Sequence, residues 1–245
     1  MQSLLLPWGG LAYNDASSAG AALMFLHGTG CDSADWAPTL AALPRGASTV
    51  AMDFRGHGES DVPAEPFTLE DLVDDVMHLI DHLGLRRVVF VGHSLGGMVA
   101  VAAAERSARA AGLVLLEGWT SLAVAGQAFE AGRFYGALPP DAVERIQRKA
   151  EATRGRFAPR VWEPFWQTVA EFDGYGYLKL THLPVAEVYG SMGRIEQTED
   201  KLRVPPNPNI EWVWLEGAGH YLPHERPLEV AQVCVHTLER TGGGS

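Results

Sequence analysis

Six short apolar runs, each closed by turn residues and separated by longer helix-periodic segments, constrain the fold of this chain more than any other feature. They are ALMFLH (22–27), STVAM (48–52), RVVFVG (87–92), GLVLLE (112–117), PVAEVYG (184–190) and IEWVWLEG (210–217). This alternation is the pattern of a mostly parallel sheet wrapped by helices. Between the runs, TLEDLVDDVMHLIDHLG (68–84) places Leu69, Leu72, Val76, Leu79, Ile80 and Leu83 on one helical face and stops at Gly84, as a C-capped helix would. LGGMVAVAAAERSA (95–108) is small and apolar, suited to a helix pressed against a sheet, and SLLLPWGGLAYN (3–14) reads as a hairpin at the sheet edge.

Residues 118 to 183 break the rhythm. They offer no convincing strand but three helix-like pieces, SLAVAGQAFEAGRFYGAL, PDAVERIQRKAEATR and VWEPFWQTVAEF, rich in aromatics that include Trp119, Phe134, Trp162 and Trp166. Such an insertion is either a small core of its own or a lid whose aromatics also line an apolar pocket. The four aromatics named are the substrate-contact candidates under the second reading.

Composition narrows the partners. A net charge of −11, with 30 acidic against 19 basic residues, argues against a nucleic-acid surface and against anchoring to anionic lipid. The two cysteines, Cys31 and Cys234, sit in unrelated contexts and suggest neither a disulfide framework nor a metal cluster; no metal and no cofactor are expected. The opening MQSLLLPWGG lacks a basic region and its apolar run is too short for a signal peptide or a membrane span, so a cytoplasmic protein is expected, as monomer or homodimer. The final residues, 242–245, read as a flexible linker or tag remnant.

The chemistry-bearing motif is Gly92-His93-Ser94-Leu95-Gly96, which follows one apolar run and opens a helical segment. The spacing G-x-S-x-G has a physical basis in this context: a serine at the tip of a strained strand-to-helix turn needs small residues two positions away on either side. The helix N-terminus behind it favours developing negative charge. Ser94 is therefore the candidate nucleophile.

Together with LHGTG (26–30), DFRGHGES (53–60) and GAGHYLPHERP (217–227), this motif makes the chain resemble the α/β-hydrolase superfamily, in its cap-bearing branch of serine hydrolases. The resemblance spans nearly the whole chain. It implies an α/β-hydrolase fold of about eight strands, with residues 1–117 and 184–241 forming one discontinuous core and a helical cap, 118–183, inserted after the sixth strand. It also implies an oxyanion hole from the backbone N–H groups of Leu95 and Thr29, a role Gly30 could share, and a general base at His220. His224 is the alternative base; His27 and His57 read as structural, His78 and His82 lie on the polar side of a helix, and the side chain of His93 should point away from the serine.

The third member of the expected triad is displaced. The superfamily's usual acid falls three residues after the glycine of the YG pair, and counting from Gly190 reaches Gly193. One replacement is Glu117, the last residue of GLVLLE, on the strand expected about 4.8 Å from the serine's own. Others are Glu196, Glu199 and Asp200, expected at the solvated start of the next helix, and a chain with no acid at all stays open. Glu117 is favoured, because a glutamate ending an apolar strand is costly to bury without a partner such as His220. The expected activity is cleavage of carboxylic esters of small to medium apolar substrates through an acyl-enzyme intermediate. Lactonase, thioesterase and carbon–carbon bond hydrolase chemistry use the same triad, and a hydrolase-like protein that only binds small molecules is the non-catalytic alternative. Epoxide hydrolase and dehalogenase relatives carry aspartate where this chain has Ser94.

Overall fold

A computed structural model describes residues 1–118, 120–125, 134–192 and 199–242. Its strands are β1 (Gln2–Leu6), β2 (Gly9–Ala16), β3 (Ala21–Leu26), β4 (Thr49–Met52), β5 (Arg87–His93), β6 (Ala110–Leu116), β7 (Val185–Gly190) and β8 (Ile210–Leu215). They form one sheet in the order β1-β2-β4-β3-β5-β6-β7-β8. The β1–β2 hairpin pairs antiparallel at the edge, β2 pairs antiparallel with β4, and every other neighbour is parallel. Each of the six apolar runs is thus a strand, within one or two residues, and the sheet is that of the α/β-hydrolase fold.

Helices cover both faces. Those between the early strands are α1 (Ala37–Ala42), α2 (Leu69–His82) and α3 (Leu95–Arg106). The boundaries of α2 follow from its sequence. Thr68 and Asp71 cap its start reciprocally, each side chain accepting from the other's backbone N–H. At its end Gly84 takes φ +63° while Leu85 N–H reaches back to Ile80 C=O at 3.0 Å, which satisfies carbonyls left over by the last turn.

Alternating strand residues feed two cores. Met24, Leu26, Phe90, Leu113 and Leu115 pack with α2 and α3 on one face, and Leu23, Phe25, Val89, Val91 and Val114 pack on the other. That other face is closed by α10 (Pro227–Arg240), which follows the short helices α8 (Glu199–Leu202) and α9 (Leu222–Glu225). Fully burying a side chain of this size contributes about 1.5–3 kcal/mol, so the two layers account for the stability of the sheet.

Between β6 and β7 the described chain is helical: α4 (Leu122–Ala125), α5 (Pro140–Gly155), α6 (Pro159–Glu171) and α7 (Tyr175–Leu180). Two of the three anticipated pieces are the long helices α5 and α6. The first is described only as α4 and a turn at 134–137, and the six-residue α7 was not anticipated. The aromatics divide. Phe157 and Phe165 are buried against Phe67 of the main core, at ring separations of 6.0 and 4.7 Å, whereas Trp162 and Trp166 stay half-buried and line a cavity. Trp119 lies outside the described residues.

Candidate active site

The chain leaves β3 for β4 on one side and returns to β5 on the other, so the loops after β3 and β5 flank the point where strand order reverses. That crevice at the carboxyl ends of the strands is where open α/β sheets bind ligands.

Ser94 stands at the tip of the β5–α3 turn with φ 53° and ψ −117°. A non-glycine residue held there costs about 1–3 kcal/mol, strain that the surrounding structure must impose. The neighbours show how it is imposed. A Cβ at Gly92 would lie 2.3 Å from Gly96 O, and one at Gly96 would lie 2.1 Å from Leu26 O, so only glycine lets strand and helix close this tightly. Ser94 N–H is also fixed, donating to Leu116 O at 3.0 Å. Leu95 is the first residue of α3, so its N–H has no intrahelical acceptor. Thr29 lies on the loop after β3 beside Gly28, whose own Cβ position would be 3.3 Å from Ser94 Cβ. The two anticipated oxyanion donors therefore belong to the segments that bracket the serine.

His220 follows β8 and is buried, 3% exposed. Its backbone is held on both sides: its N–H donates to Phe134 O at 2.9 Å, and its carbonyl accepts from His93 Nε2 at 2.9 Å. Phe134 also stacks on the imidazole, with ring centroids 4.3 Å apart and planes 21° apart.

Glu117 directly follows β6 and is completely buried. Its backbone has φ 50°, the left-handed region, and its N–H donates to Val188 O at 2.9 Å. One carboxylate oxygen, Oε1, accepts from Gly190 N–H at 2.8 Å; the other, Oε2, lies 3.8 Å from His220 Nδ1. Ser94, His220 and Glu117, separated by up to 126 positions along the chain, thus converge at one end of the sheet. Gly193 and Glu196, and the side chains of Glu199 and Asp200, lie outside the described part of the chain.

Four other histidines have partners of their own. His224 Nε2 lies 3.3 Å from Asp35, whose carboxylate is also 2.7 Å from Lys149 Nζ on α5, so His224 belongs to a link between α5 and the loop after β3. His27 donates from Nδ1 to Gly28 O at 2.7 Å and accepts at Nε2 from Phe54 N–H at 2.9 Å, and burial lowers its pKa. His57 Nδ1 donates to Arg55 O at 2.9 Å. His93 supports the His220 backbone through its Nε2 contact with the carbonyl, a role its sequence position does not announce. Burial, with His220 nearby, pushes its pKa down to about 3, which keeps the ring neutral and fits a donor at Nε2. Both cysteines are buried and unpaired with each other, and burial raises both thiol pKa values, so neither is a nucleophile.

A cavity of about 590 Å³ lies between Thr29 and Gly30 of the loop after β3 and helices α5 and α6, lined by Tyr135, Trp162 and Trp166 and also by Gln147, Glu151 and Arg154. The lining includes two of the four anticipated contact aromatics. Phe134 is placed on His220 instead. Among the described residues, no helix is long and apolar enough to cross a membrane.

Comparisons with known proteins identify the family of this fold. A soluble epoxide hydrolase of Corynebacterium sp. (strain C12) is 26% identical over 258 residues, covering 89% of this chain and 90% of that protein. The 3-oxoadipate enol-lactonase 1 of Acinetobacter baylyi is 40% identical over 80 residues, a match confined to 33% of this chain and 30% of the lactonase. The solved structure of a thermophilic esterase from Thermogutta terrifontis superposes with a TM-score of 0.76 at 23% identity, over 98% of this chain and 99% of that one. The model of the alpha/beta hydrolase family matches residues 23–233, and the chain belongs to that family.

Proposed function

We propose that this protein is a serine hydrolase that cleaves carboxylic esters through an acyl-enzyme. The observation that carries the reading is the placement of Glu117. A completely buried carboxylate in a left-handed backbone position, anchored by Gly190 N–H and facing His220 Nδ1, is costly to fold. Orienting a histidine gives that cost a purpose.

In this mechanism Ser94 Oγ attacks the ester carbonyl carbon and its proton passes to His220 Nε2. The carbonyl oxygen, now negative, takes hydrogen bonds from the N–H groups of Leu95 and Thr29; losing one such donor typically costs ~10²–10³ in rate. Collapse breaks the bond to the alcohol, which leaves with the proton from His220. Water then attacks the acyl-serine, giving a proton to the same imidazole, and the acid departs as Ser94 recovers its proton. Glu117 holds the tautomer with the proton on Nδ1 and stabilises the imidazolium.

The cavity volume and the pair Trp162 and Trp166 favour a small to medium acyl or alcohol group with an apolar part, beside which Gln147, Glu151 and Arg154 can meet polar atoms. Lactones fit the same steps, and the enol-lactonase relative supports them as a second substrate class. Epoxide opening fits poorly despite the epoxide hydrolase relative. A carboxylate nucleophile leaves an ester that water can cleave, whereas Ser94 would leave a stable ether.

A fluorophosphonate probe tests the reading. Wild type is expected to be labelled stoichiometrically at Ser94 and Ser94→Ala not at all; a folded wild type that resists labelling and turns over no ester would refute it.

A further inference from the structure

The cap and the His220 loop meet on one carboxylate that the steps above do not use. Glu225 ends α9, and its Oε2 accepts from two backbone donors at once: Gly219 N–H at 2.9 Å, the residue before His220, and Ala137 N–H at 3.2 Å, in the cap turn. Three further contacts join the same two segments. His220 N–H donates to Phe134 O, the Phe134 ring stacks on the imidazole, and Tyr135 stacks on Tyr221 with planes only 4° apart.

The turn is built around this carboxylate. Gly136 has φ +58°, and a Cβ there would lie 1.9 Å from Glu225 Oε2 and 2.5 Å from Gly219 N. Glu225 Oε1 is buried with no hydrogen-bond partner. Arg226, the next residue, offsets the charge only in part: its Nη2 donates to Glu216 O, and its Nε faces Glu229 at 3.9 Å. Burial accordingly raises the Glu225 pKa. A partly buried carboxylate with one oxygen left without a hydrogen bond is poor at stabilising a fold for its own sake. As a shared oxygen acceptor it holds one amide from each segment at a single point.

We propose that Glu225 is a positioning residue for His220, clamping the 134–137 turn of the cap to Gly219 so that the imidazole keeps its distance from Ser94 and Glu117. The assignment rests on the ester-hydrolase reading above. Without the clamp, Gly219 and His220 lose their registration against the cap, and a displacement of about 1 Å at the base costs up to ~10²-fold in rate.

The test uses the full-length protein with a fluorophosphonate probe and a chromogenic short-chain ester, each variant checked by its Tm. Glu225→Ala is expected to lower kcat and the labelling rate about 10- to 100-fold, with KM changed less than about threefold. Glu225→Gln keeps an oxygen acceptor without the charge and is expected to restore most of the rate. Gly136→Ala forces the turn off the carboxylate from the cap side and should reproduce the loss, with little further effect when combined with Glu225→Ala. Unchanged kcat and labelling in both Glu225→Ala and Gly136→Ala would overturn the proposal, as would equal losses in the Gln and Ala variants, which would reduce Glu225 to its charge. Failure of the ester-hydrolase reading shows separately, as a wild type that the probe does not label.

Discussion

Replacing Glu117 by glutamine tests the reading of the site most directly. The side chains are nearly isosteric, and the amide oxygen can still accept from Gly190 N–H, so the fold should survive. What is lost is the negative charge facing His220. At 3.8 Å and an effective dielectric near 20, attraction between that carboxylate and an imidazolium amounts to about 4 kcal/mol. Only the charged form of His220 benefits, and it is present in the transition state and absent from the resting enzyme, so the difference falls on kcat. A loss of 4 kcal/mol corresponds to about 10³-fold, within the ~10⁴ known for tautomer-disrupting changes at such a position. The assay is steady-state hydrolysis of a chromogenic short-chain ester by wild type and Glu117→Gln, with Tm as the folding control. KM should move little. A folded Glu117→Gln that keeps more than about a tenth of wild-type kcat would refute the role assigned to Glu117, because the geometry leaves no room for so small an effect if the carboxylate orients the base.

Two further predictions concern stability. Ser94→Gly should abolish turnover and raise Tm, since relieving the strain at φ 53° is worth about 1–3 kcal/mol; an unchanged or lower Tm in thermal unfolding would contradict a strained turn. Glu187 is buried beside Tyr189, whose hydroxyl donates to Oε2 at 2.9 Å, and burial, partly offset by that hydrogen bond and reinforced by Glu117, pushes its pKa from 4.5 up to about 8. Between those two values the folded state keeps a proton that the unfolded chain has released. Stability is therefore full below about pH 4.5 and falls as pH rises towards 8, by up to about 1.4 kcal/mol per pH unit. Glu187→Gln should flatten this stretch of the Tm profile; identical slopes in wild type and variant would show that another group is responsible.

The sheet was legible because each strand is a local signal, a short apolar run that stays apolar on both faces. The serine was legible for a similar reason: a strained turn needs glycines at fixed offsets, and five consecutive residues carry them. Glu117 was legible only in part. Its cost of burial could be read from GLVLLE, but its alignment with Gly190 and His220 depends on β6 lying between β5 and β7, a fact of strand order. His93 and Glu225 mark the limit. Each acts on backbone groups far away in sequence, at the His220 carbonyl and at the Gly219 and Ala137 amides, and backbone donors and acceptors are identical at every position, so no residue pattern announces such contacts. A polar residue beside a nucleophile, or two positions before a proline, was the only available hint.

The position of Glu117 also changes how this chain can be recombined. With the proposed acid directly after β6, all of the cap follows it in sequence, and the turn after Gly190 is released from supplying the triad acid. Exchanging caps between relatives of this kind would therefore require the upstream junction to fall after residue 117. A cap transplanted with its own β6 terminus would bring along, or leave behind, the group that orients the base. In a chain arranged this way, the boundary between catalytic machinery and specificity module is a single peptide bond wide.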